Sequence, residues 1–379
     1  MNLIVSASVA GLVLLLSALP QAAAQDDLPA WAIGPFARPD GAEPVIKPNP
    51  ETTFDDPIRG EPVNWEILHT FNPAAIVIGD QIAVLYRAED DTGQMHIGGH
   101  TSRLGLALSD DGINFAREPE PVLFPDVDSE QEHEWPGGVE DPRIVEAPDG
   151  TYVIYYTQWN GKMTQIAAAT SNDLRTWEKQ GNIFTTHHGD TYRDLKFKAA
   201  SVVTSLQDGR LKAAKIDGKY WMYWGEWGIR LAWSDNLLDW HVIEDEPGEP
   251  TFVLNPRDDG WDAPLVECGP PAVLTGDGIV LLYNVKVERD LPELGLQNGA
   301  YAGGQALFDP SEPTKLLDRL DKPFIQPKLE WEKTGQYAAG TTFIEGLVYF
   351  NDQWFLYYGS ADSLVGVAVS SESNAGASR

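Results

Sequence analysis

The stretch Leu106-Ala107-Leu108-Ser109-Asp110-Asp111-Gly112-Ile113-Asn114-Phe115 decides the fold, because its pattern recurs along the chain. The pattern is an apolar strand, a Ser/Asp turn, and an aromatic residue that closes the turn. The further copies are AATSNDLRTW at 168–177 and LAWSDNLLDW at 231–240, with a shorter remnant, VGVAVS, at 365–370. Strand-and-turn repeats without helical periodicity predict an all-β protein.

A second repeat lies in the strands around these turns. Short apolar or aromatic runs end in tyrosine five times, with gaps of 70, 67, 60 and 75 residues, at Tyr86, Tyr156, Tyr223, Tyr283 and Tyr358. A repeat of about 65 residues that holds several short strands is typical of propeller blades. The sequence therefore predicts a five-bladed β-propeller in one domain over residues 61–372, with a pair of two-sheet sandwiches as the alternative.

The two ends of the chain differ from this pattern. Residues 2–24 carry no charge and end in small residues before Gln25, which predicts a signal peptide over 1–24, cleaved near Ala24. An uncleaved anchor is the alternative. Residues 25–60 are rich in Pro and Asp and are expected to form an irregular N-terminal arm, and 373–379 a C-terminal tail. The mature protein is therefore expected to be exported, periplasmic or secreted.

The net charge limits the classes of ligand that are expected, and the cysteine content limits how the fold can be stabilised. The formal net charge is −30, which argues against nucleic acid and anionic membrane surfaces and suits a neutral or cationic ligand. Beyond residue 24 no apolar run is long enough to span a membrane, so no stable membrane insertion is expected. The single cysteine, Cys268, excludes an internal disulfide, so a large core must hold the fold. The sequence does not indicate an oligomeric state.

The stretch Gly137-Gly138-Val139-Glu140-Asp141-Pro142-Arg143-Ile144 combines a tight turn with two acids, a proline and an arginine. We interpret it as a catalytic carboxyl, Asp141, positioned by a rigid turn. Arg143 would be its ion-pair partner or a clamp on the substrate. The alternative is a turn that a surface salt bridge closes.

A propeller would bring the ends of its inner strands to one mouth. The charged residues at those ends are Arg87, Glu89, Asp90, Asp141, Arg143, Glu226, Glu267, Glu345 and Asp362. Carboxylates beside Trp and Tyr indicate glycoside hydrolysis, which needs one carboxyl as acid and another as base. No His/Cys set has metal-ligand spacing, and His187-His188 is interpreted as a solvated pair, so neither a metal nor a cofactor is expected.

Seven phrases together resemble glycoside hydrolase family 130, the mannoside phosphorylases and β-mannosidases built on a five-bladed propeller. They are FNPAA (71–75), LYRAED (85–90), TSRLGLA (101–107), GVEDPRI (138–144), KIDGKY (215–220), CGPP (268–271) and YYGSAD (357–362). The resemblance implies that Asp141 is the general acid and delivers its proton through a mannose hydroxyl. It also implies that the non-reducing mannose is bound by Asn72, Arg87, Lys198 and Asp362.

The resemblance distinguishes phosphorolysis from hydrolysis by the residues that follow the strand at 219–222. Phosphorylase members carry a His-Arg pair there that helps to hold phosphate, whereas this chain has Tyr223-Trp224-Gly225-Glu226. Tyr223 is expected to contact substrate, and Glu226 or Glu267 to activate water as general base. The alternatives are that Glu226 only pairs with Arg230 and that Glu267 is a surface carboxylate at a strand end.

The sequence thus predicts an exported, inverting, exo-acting β-mannosidase that releases mannose from neutral, β-1,2-linked manno-oligosaccharides. A mannoside phosphorylase that produces mannose 1-phosphate is the first alternative. A non-catalytic carbohydrate-binding propeller and an arabinan- or fructan-cleaving five-bladed enzyme are the others.

Overall fold

The computed structural model describes residues 28–192 and 195–370, and this part of the chain is almost entirely β-strand. Its helical segments are four residues each: α1 (Gln131–Glu134), α2 (Thr185–His188) and a 3-10 turn (Glu330–Lys333). The prediction of an all-β protein is confirmed. In this part no helix has the length and hydrophobicity to cross a membrane. The predicted signal peptide and C-terminal tail lie outside the described residues.

The described part of the N-terminal arm is not irregular throughout. It contributes two short strands, β1 (Phe36–Ala37) and β2 (Phe54–Asp56), and β3 (Glu61–Val63) follows directly after it. β2 and β3 form a hairpin, while β1 pairs antiparallel with residues 369–370 at the other end of the described chain. The arm therefore adds a strand to the last sheet.

From residue 69 onward, antiparallel units follow one another along the chain. The first unit is β4 (His69–Ile78), β5 (Gln81–Glu89), β6 (Ser102–Ser109) and β7 (Ala116–Arg117). The second is β8 (Gly138–Glu146), β9 (Tyr152–Trp159), β10 (Thr164–Ser171) and β11 (Glu178–Asn182). The third is β12 (Ala200–Gln207), β13 (Arg210–Ala213), β14 (Lys215–Ile216), β15 (Lys219–Trp224), β16 (Ile229–Ser234), β17 (His241–Val242), β18 (Glu244–Glu246), β19 (Glu249–Pro250) and β20 (Phe252–Leu254).

Two further units complete the described chain. The fourth is β21 (Pro264–Cys268), β22 (Ala272–Leu274), β23 (Ile279–Val287), β24 (Tyr301–Asp309) and β25 (Glu312–Arg319). The fifth is β26 (Phe343–Phe350), β27 (Gln353–Ser360) and β28 (Leu364–Ser370), which β1 extends. Parallel contacts link neighbouring units, such as β12 with β22 and β6 with β8.

The five repeated tyrosines occupy the same position in their units and are all buried. Tyr86, for example, lies opposite Gly105 on the next strand. A Cβ atom on Gly105 would lie 2.4 Å from Cζ of Tyr86, so only glycine leaves room for the ring. Tyr283 and Tyr358 also cover glycines across their strands, which explains why the tyrosine repeat marks the fold.

The hydroxyls of these tyrosines anchor the units to buried carboxylates. Four donate to an acid that is 0% exposed: Tyr86 to Glu66, Tyr156 to Glu134, Tyr283 to Asp262 and Tyr358 to Glu332. Each acid also meets a cation, namely Arg117, Lys179, Arg319 and Arg38 respectively. Pairing of this kind offsets the desolvation cost of a buried carboxylate.

The repeated Ser/Asp turns have one common hydrogen-bond pattern. In each copy the serine at the strand end accepts from the backbone N–H three residues later: Ser109 from Gly112, Ser171 from Leu174 and Ser234 from Leu237. The accepting oxygen satisfies a backbone donor where the sheet ladder stops. The repeated Ser/Asp turn therefore marks the end of its strand.

Candidate active site

Three candidate site residues lie on backbone that bends out of the regular strand. Asn72 lies at a bulge in β4 with φ of 45°, and Asp141 at a bulge in β8 with φ of 48°. Asp362, just after β27, has φ of 49°. Left-handed backbone at non-glycine residues is costly and concentrates at functional sites, and Asn and Asp tolerate it best. The bulges therefore aim these side chains away from the register of their strands.

Arg87 gathers carboxylates from two strands. Its guanidinium donates to Asp141 Oδ1 at 3.1 Å, to Glu140 at 2.8 Å and to Glu89 at 2.6 Å. Its Cζ atom lies 4.6 Å from the centre of the Phe71 ring. Asn72 Nδ2 donates to the same Oδ1 atom of Asp141 at 2.7 Å. Asp141 is thus fixed by two donors from the first unit.

Lys198 joins the proposed acid to both proposed bases. Its Nζ atom lies 4.0 Å from Asp141 Oδ2, 3.6 Å from Glu226 Oε2 and 3.5 Å from Glu267 Oε1. These contacts bring together three carboxylates from separate units. Glu267 is 1% exposed, whereas the Glu226 side chain is 21% exposed. Glu226 is therefore the carboxylate of the pair that solvent reaches more readily.

Burial and neighbouring charges shift the pKa values of the carboxyls in opposite directions. Burial by itself would raise the pKa of Asp141, but Arg87, Lys198, Arg143 and the Asn72 hydrogen bond hold it at about 2. Burial raises the pKa of Glu267 to about 7, against the opposing effect of Lys198. Burial also raises the pKa of Glu140 and Asp362 to about 7. Near neutral pH the cluster therefore holds Asp141 ionised beside carboxyls that exchange their protons.

The comparisons with known proteins show the family of the chain. The model of glycoside hydrolase family 130, described as β-1,4-mannooligosaccharide phosphorylase, matches residues 38–374. The chain belongs to glycoside hydrolase family 130. A 1,2-β-oligomannan phosphorylase from Thermoanaerobacter sp. (strain X514) is 31% identical over 86% of this chain and 94% of its own.

Solved structures are more similar than this phosphorylase. A putative glycoside hydrolase from Parabacteroides distasonis ATCC 8503 has 51% identity and a TM-score of 0.87, covering 90% of this chain and 97% of its own. A second structure has 47% identity and a TM-score of 0.87, covering 91% of this chain and 96% of its own. Its description states that the GH130 family of mannoside phosphorylases contains glycoside hydrolases that target β-1,2 mannosidic linkages in Candida mannan.

Arg143 of this family 130 chain is a buried residue that contacts the protein's own groups, so its role as a substrate clamp stays a prediction that these contacts do not favour. Its side chain is 1% exposed. It donates to the backbone carbonyls of Asp141, Cys268 and Gly269 at 3.0, 2.9 and 3.3 Å. Its Nη1 atom also lies 2.8 Å from Glu345, whose pKa burial raises well above the ordinary value. Arg143 thus ties the segment of Asp141 to the segment that carries Glu267.

The contacts of Tyr223 also do not favour its predicted role as a substrate contact. It is fully buried, its ring packs on Phe308 at 4.7 Å, and its hydroxyl donates to the Pro313 carbonyl at 2.9 Å. Side chains alternate between the faces of a strand, and Tyr223 occupies the anchoring position of the other repeated tyrosines. Glu226 reaches the site because it follows the end of β15.

The structure also places the two glutamates, Glu226 and Glu267, for which non-catalytic roles were considered. Arg230 donates to the backbone carbonyls of Glu226 and Gly228, while the Glu226 carboxylate faces Lys198. Glu267 is buried in β21 and is not a surface residue.

Two aromatic residues that lie beside the cluster were not predicted from the sequence. Tyr301 and Tyr337 are half-buried with ring centres 5.8 Å apart, and Lys286 lies over both rings. The charges of Lys198 and Asp362 act on both hydroxyls, which places the rings beside the cluster. They lie at the start of β24 and in a loop, outside the repeated strand ends, so no sequence pattern indicated them.

Replacement of Arg143 tests its scaffold role. Arg143→Gln leaves Glu345 buried without its cation, and we expect the free energy of unfolding to fall by about 3–5 kcal/mol in chemical denaturation. The double variant Arg143→Gln/Glu345→Gln should recover part of that loss. Arg175→Gln, which breaks an exposed pair with Glu118, should cost less than about 1 kcal/mol. A variant of Arg143 with wild-type stability and a raised KM would support the clamp interpretation.

Proposed function

We propose that this protein is an exported, inverting β-1,2-mannosidase that releases mannose from the non-reducing end of manno-oligosaccharides. In this proposal the five antiparallel units are the blades of a five-bladed propeller, and the cluster around Lys198 lies where they meet. The observation that carries the proposal is the contact of one ammonium with Asp141, Glu226 and Glu267. The proposal needs no cofactor.

The contacts with Lys198 set an upper limit on the separation of the carboxylates. Because Asp141 and Glu267 lie 4.0 and 3.5 Å from the same Nζ atom, their nearer oxygens are at most about 7.5 Å apart. Inverting glycosidases place acid and base about 6.5–9.5 Å apart to leave room for water, and retaining enzymes about 5–5.5 Å. The upper limit lies within the inverting range, and the proposal places a water between the sugar and one of the glutamates.

The local charge supports water rather than phosphate as the attacking group. Phosphate placed beside Glu226 and Glu267 would meet two carboxylates and the single ammonium of Lys198, which Asp141 also shares. Two like charges 4 Å apart repel by roughly 4 kcal/mol at an effective dielectric constant of 20. Water carries no charge and gains a hydrogen bond to a basic carboxylate. Glu267, whose pKa is about 7, is well matched to a general base at neutral pH.

Proton donation requires that substrate change the state of Asp141. The unliganded site holds this carboxyl ionised, with a pKa of about 2. A bound mannose would draw Arg87 and Lys198 into hydrogen bonds with its hydroxyls and so weaken their hold on the ionised form. A sugar hydroxyl between Asp141 and the glycosidic oxygen would then relay the proton. Asn72 and Asp362 complete the polar groups around that mannose.

The relatives support the substrate class. Both the Thermoanaerobacter phosphorylase and the structure at 47% identity are named for β-1,2 linkages, and the latter for their hydrolysis. Export rests on the uncharged run at 2–24. A phosphorylase is the second candidate function, because the enzyme at 31% identity is one.

Product analysis distinguishes the candidates. The purified enzyme is incubated with β-1,2-mannobiose in buffer with and without inorganic phosphate, with β-1,4-mannobiose as the control for linkage. We expect free mannose at equal rates in both buffers, first released as the α-anomer. Phosphate-dependent formation of mannose 1-phosphate would contradict hydrolysis, and binding without any product would indicate the non-catalytic alternative.

Asp141→Asn tests the general acid. It removes the proton donor while it preserves size and the Asn72 contact, so kcat should fall by about 10²–10⁴-fold with substrate affinity retained. Isothermal titration with mannobiose measures the affinity. Asp80→Asn, on an exposed turn, is the matched control and should keep wild-type turnover. An active Asp141→Asn enzyme would remove Asp141 from the mechanism.

The pH dependence tests the base. A general base acts in its deprotonated form, so a pKa of about 7 for Glu267 predicts that kcat/KM falls as the pH drops below about 7. Glu267→Gln and Glu226→Gln should each slow hydrolysis, and the variant that loses the true base should also lose this acidic limb. Exposed Glu120→Gln is the control. Wild-type rates in both site variants would remove both glutamates from the reaction.

A further inference from the structure

Two histidines and a glutamate converge beside the Arg87 cluster. His69 at the start of β4 is the register partner of Glu89 at the end of β5, and His100 lies two residues before the start of β6. One ligand atom from each of the three residues lies within 4.8 Å of the other two. The two imidazole rings are 5.8 Å apart at their centres.

The potential ligand atoms in this cluster have few hydrogen-bond partners among the described residues. His100 is 4% exposed, and its Nδ1 atom is buried without a hydrogen-bond partner. Nδ1 of His69 is hydrogen-bonded to Ser363 Oγ at 3.0 Å, which orients the ring and leaves its other nitrogen. Glu89 bonds Arg87 through Oε1, while its Oε2 has only a long contact of 3.5 Å with Gln336.

We propose that His69, Glu89 and His100 bind a divalent transition-metal ion, best matched by Zn²⁺. Two imidazoles and one carboxylate are a common zinc ligand set that leaves a fourth position for water or a ligand. Mg²⁺ and Ca²⁺ prefer all-oxygen sites, and imidazole ligands favour the later transition metals. The hydrogen bond between His69 and Ser363 is the kind of outer contact that fixes a metal-bound histidine.

The ion would act as a positioning group. It would tie the 90–101 connection, through His100 near its end, to the two strands that carry Asn72 and Arg87. That connection includes the exposed side chains of Met95 and Ile97, and Trp159 holds its far side through a hydrogen bond to the Gly98 carbonyl at 2.9 Å. Zinc would also neutralise part of the charge on Glu89, which shares Arg87 with Asp141. This inference stands on the geometry of the cluster and does not depend on which reaction the enzyme catalyses.

The sequence did not indicate this site, because its ligands come from positions 69, 89 and 100 on three separate segments. No short ligand spacing links them. Only the antiparallel pairing of β4 with β5, and the return of the chain to β6, brings them together.

Zinc titration of the full-length mature enzyme tests the proposal. Chelator-treated protein is titrated with Zn²⁺ alone, and bound metal is measured by calorimetry and elemental analysis. We expect one tight equivalent, with affinity reduced by at least about 100-fold in His69→Gln and in His100→Gln. Zn²⁺ should also slow proteolysis within the 90–101 connection of the wild type, and not of the two variants.

The surface pair His187 and His241, whose rings stack at 3.4 Å, provides the matched control. His241→Gln should retain the tight site. Absence of a tight equivalent in the wild type, or its loss in His241→Gln with retention in His100→Gln, would overturn the proposal.

Cobalt substitution keeps the test decisive where a variant does not fold. Co²⁺ bound to the wild type by two imidazoles and a carboxylate should give the intense visible absorption of a four- or five-coordinate ion. The weak absorption of an octahedral, water-rich ion would overturn the assignment without any variant. Circular dichroism of the metal-free variants shows whether they remain folded.

Discussion

The site depends on the neutralisation of many buried carboxylates by few cations. Arg87, Arg143 and Lys198 between them face Glu89, Glu140, Asp141, Glu226, Glu267 and Glu345. A buried carboxylate without a partner is costly, and three cations cannot neutralise six acids. The excess is relieved by protons, because burial raises the pKa of Glu140, Glu267 and Glu345. The cluster is therefore built to retain protons at neutral pH.

The surrounding fold makes this arrangement rigid. Arg143 hydrogen-bonds the backbone of β8 and the end of β21 and pairs with Glu345 on β26, so one guanidinium connects three units. Farther out, the tyrosine hydroxyls hold the units against their own buried acids. Left-handed backbone at Asn72, Asp141 and Asp362 persists because these contacts leave it no alternative. Strain at the site is thus sustained by hydrogen bonds elsewhere in the units.

The sequence predicted what is repeated and what lies at strand ends. The tyrosine spacing identified the units. The charged residues predicted to share one mouth included Arg87, Asp141, Glu226 and Glu267, and the contacts of Arg87 and Lys198 connect them. The predictions that the contacts do not favour are those in which a single register decides. Tyr223 points into the core because of its place in the alternation of β15, and Arg143 turns under the site because β8 bulges at Asp141. The histidine cluster and the Tyr301–Tyr337 pair depend on strand pairing and loop packing, which local patterns do not encode.

The proposed choice between water and phosphate follows from the same charge balance. One scaffold can serve both reactions if the group that faces the anomeric carbon changes sign. Replacing a pair of cations by Glu226 turns a place that attracts an anion into one that repels it. It also supplies a base, so a single change disfavours one nucleophile and activates the other. Lys198 then has two roles in this proposal. It holds Glu226 and Glu267 together, and it leaves at least one of them basic enough to activate water. Its position at 3.5–4.0 Å from three carboxylates, with no short contact to any, is suited to that compromise.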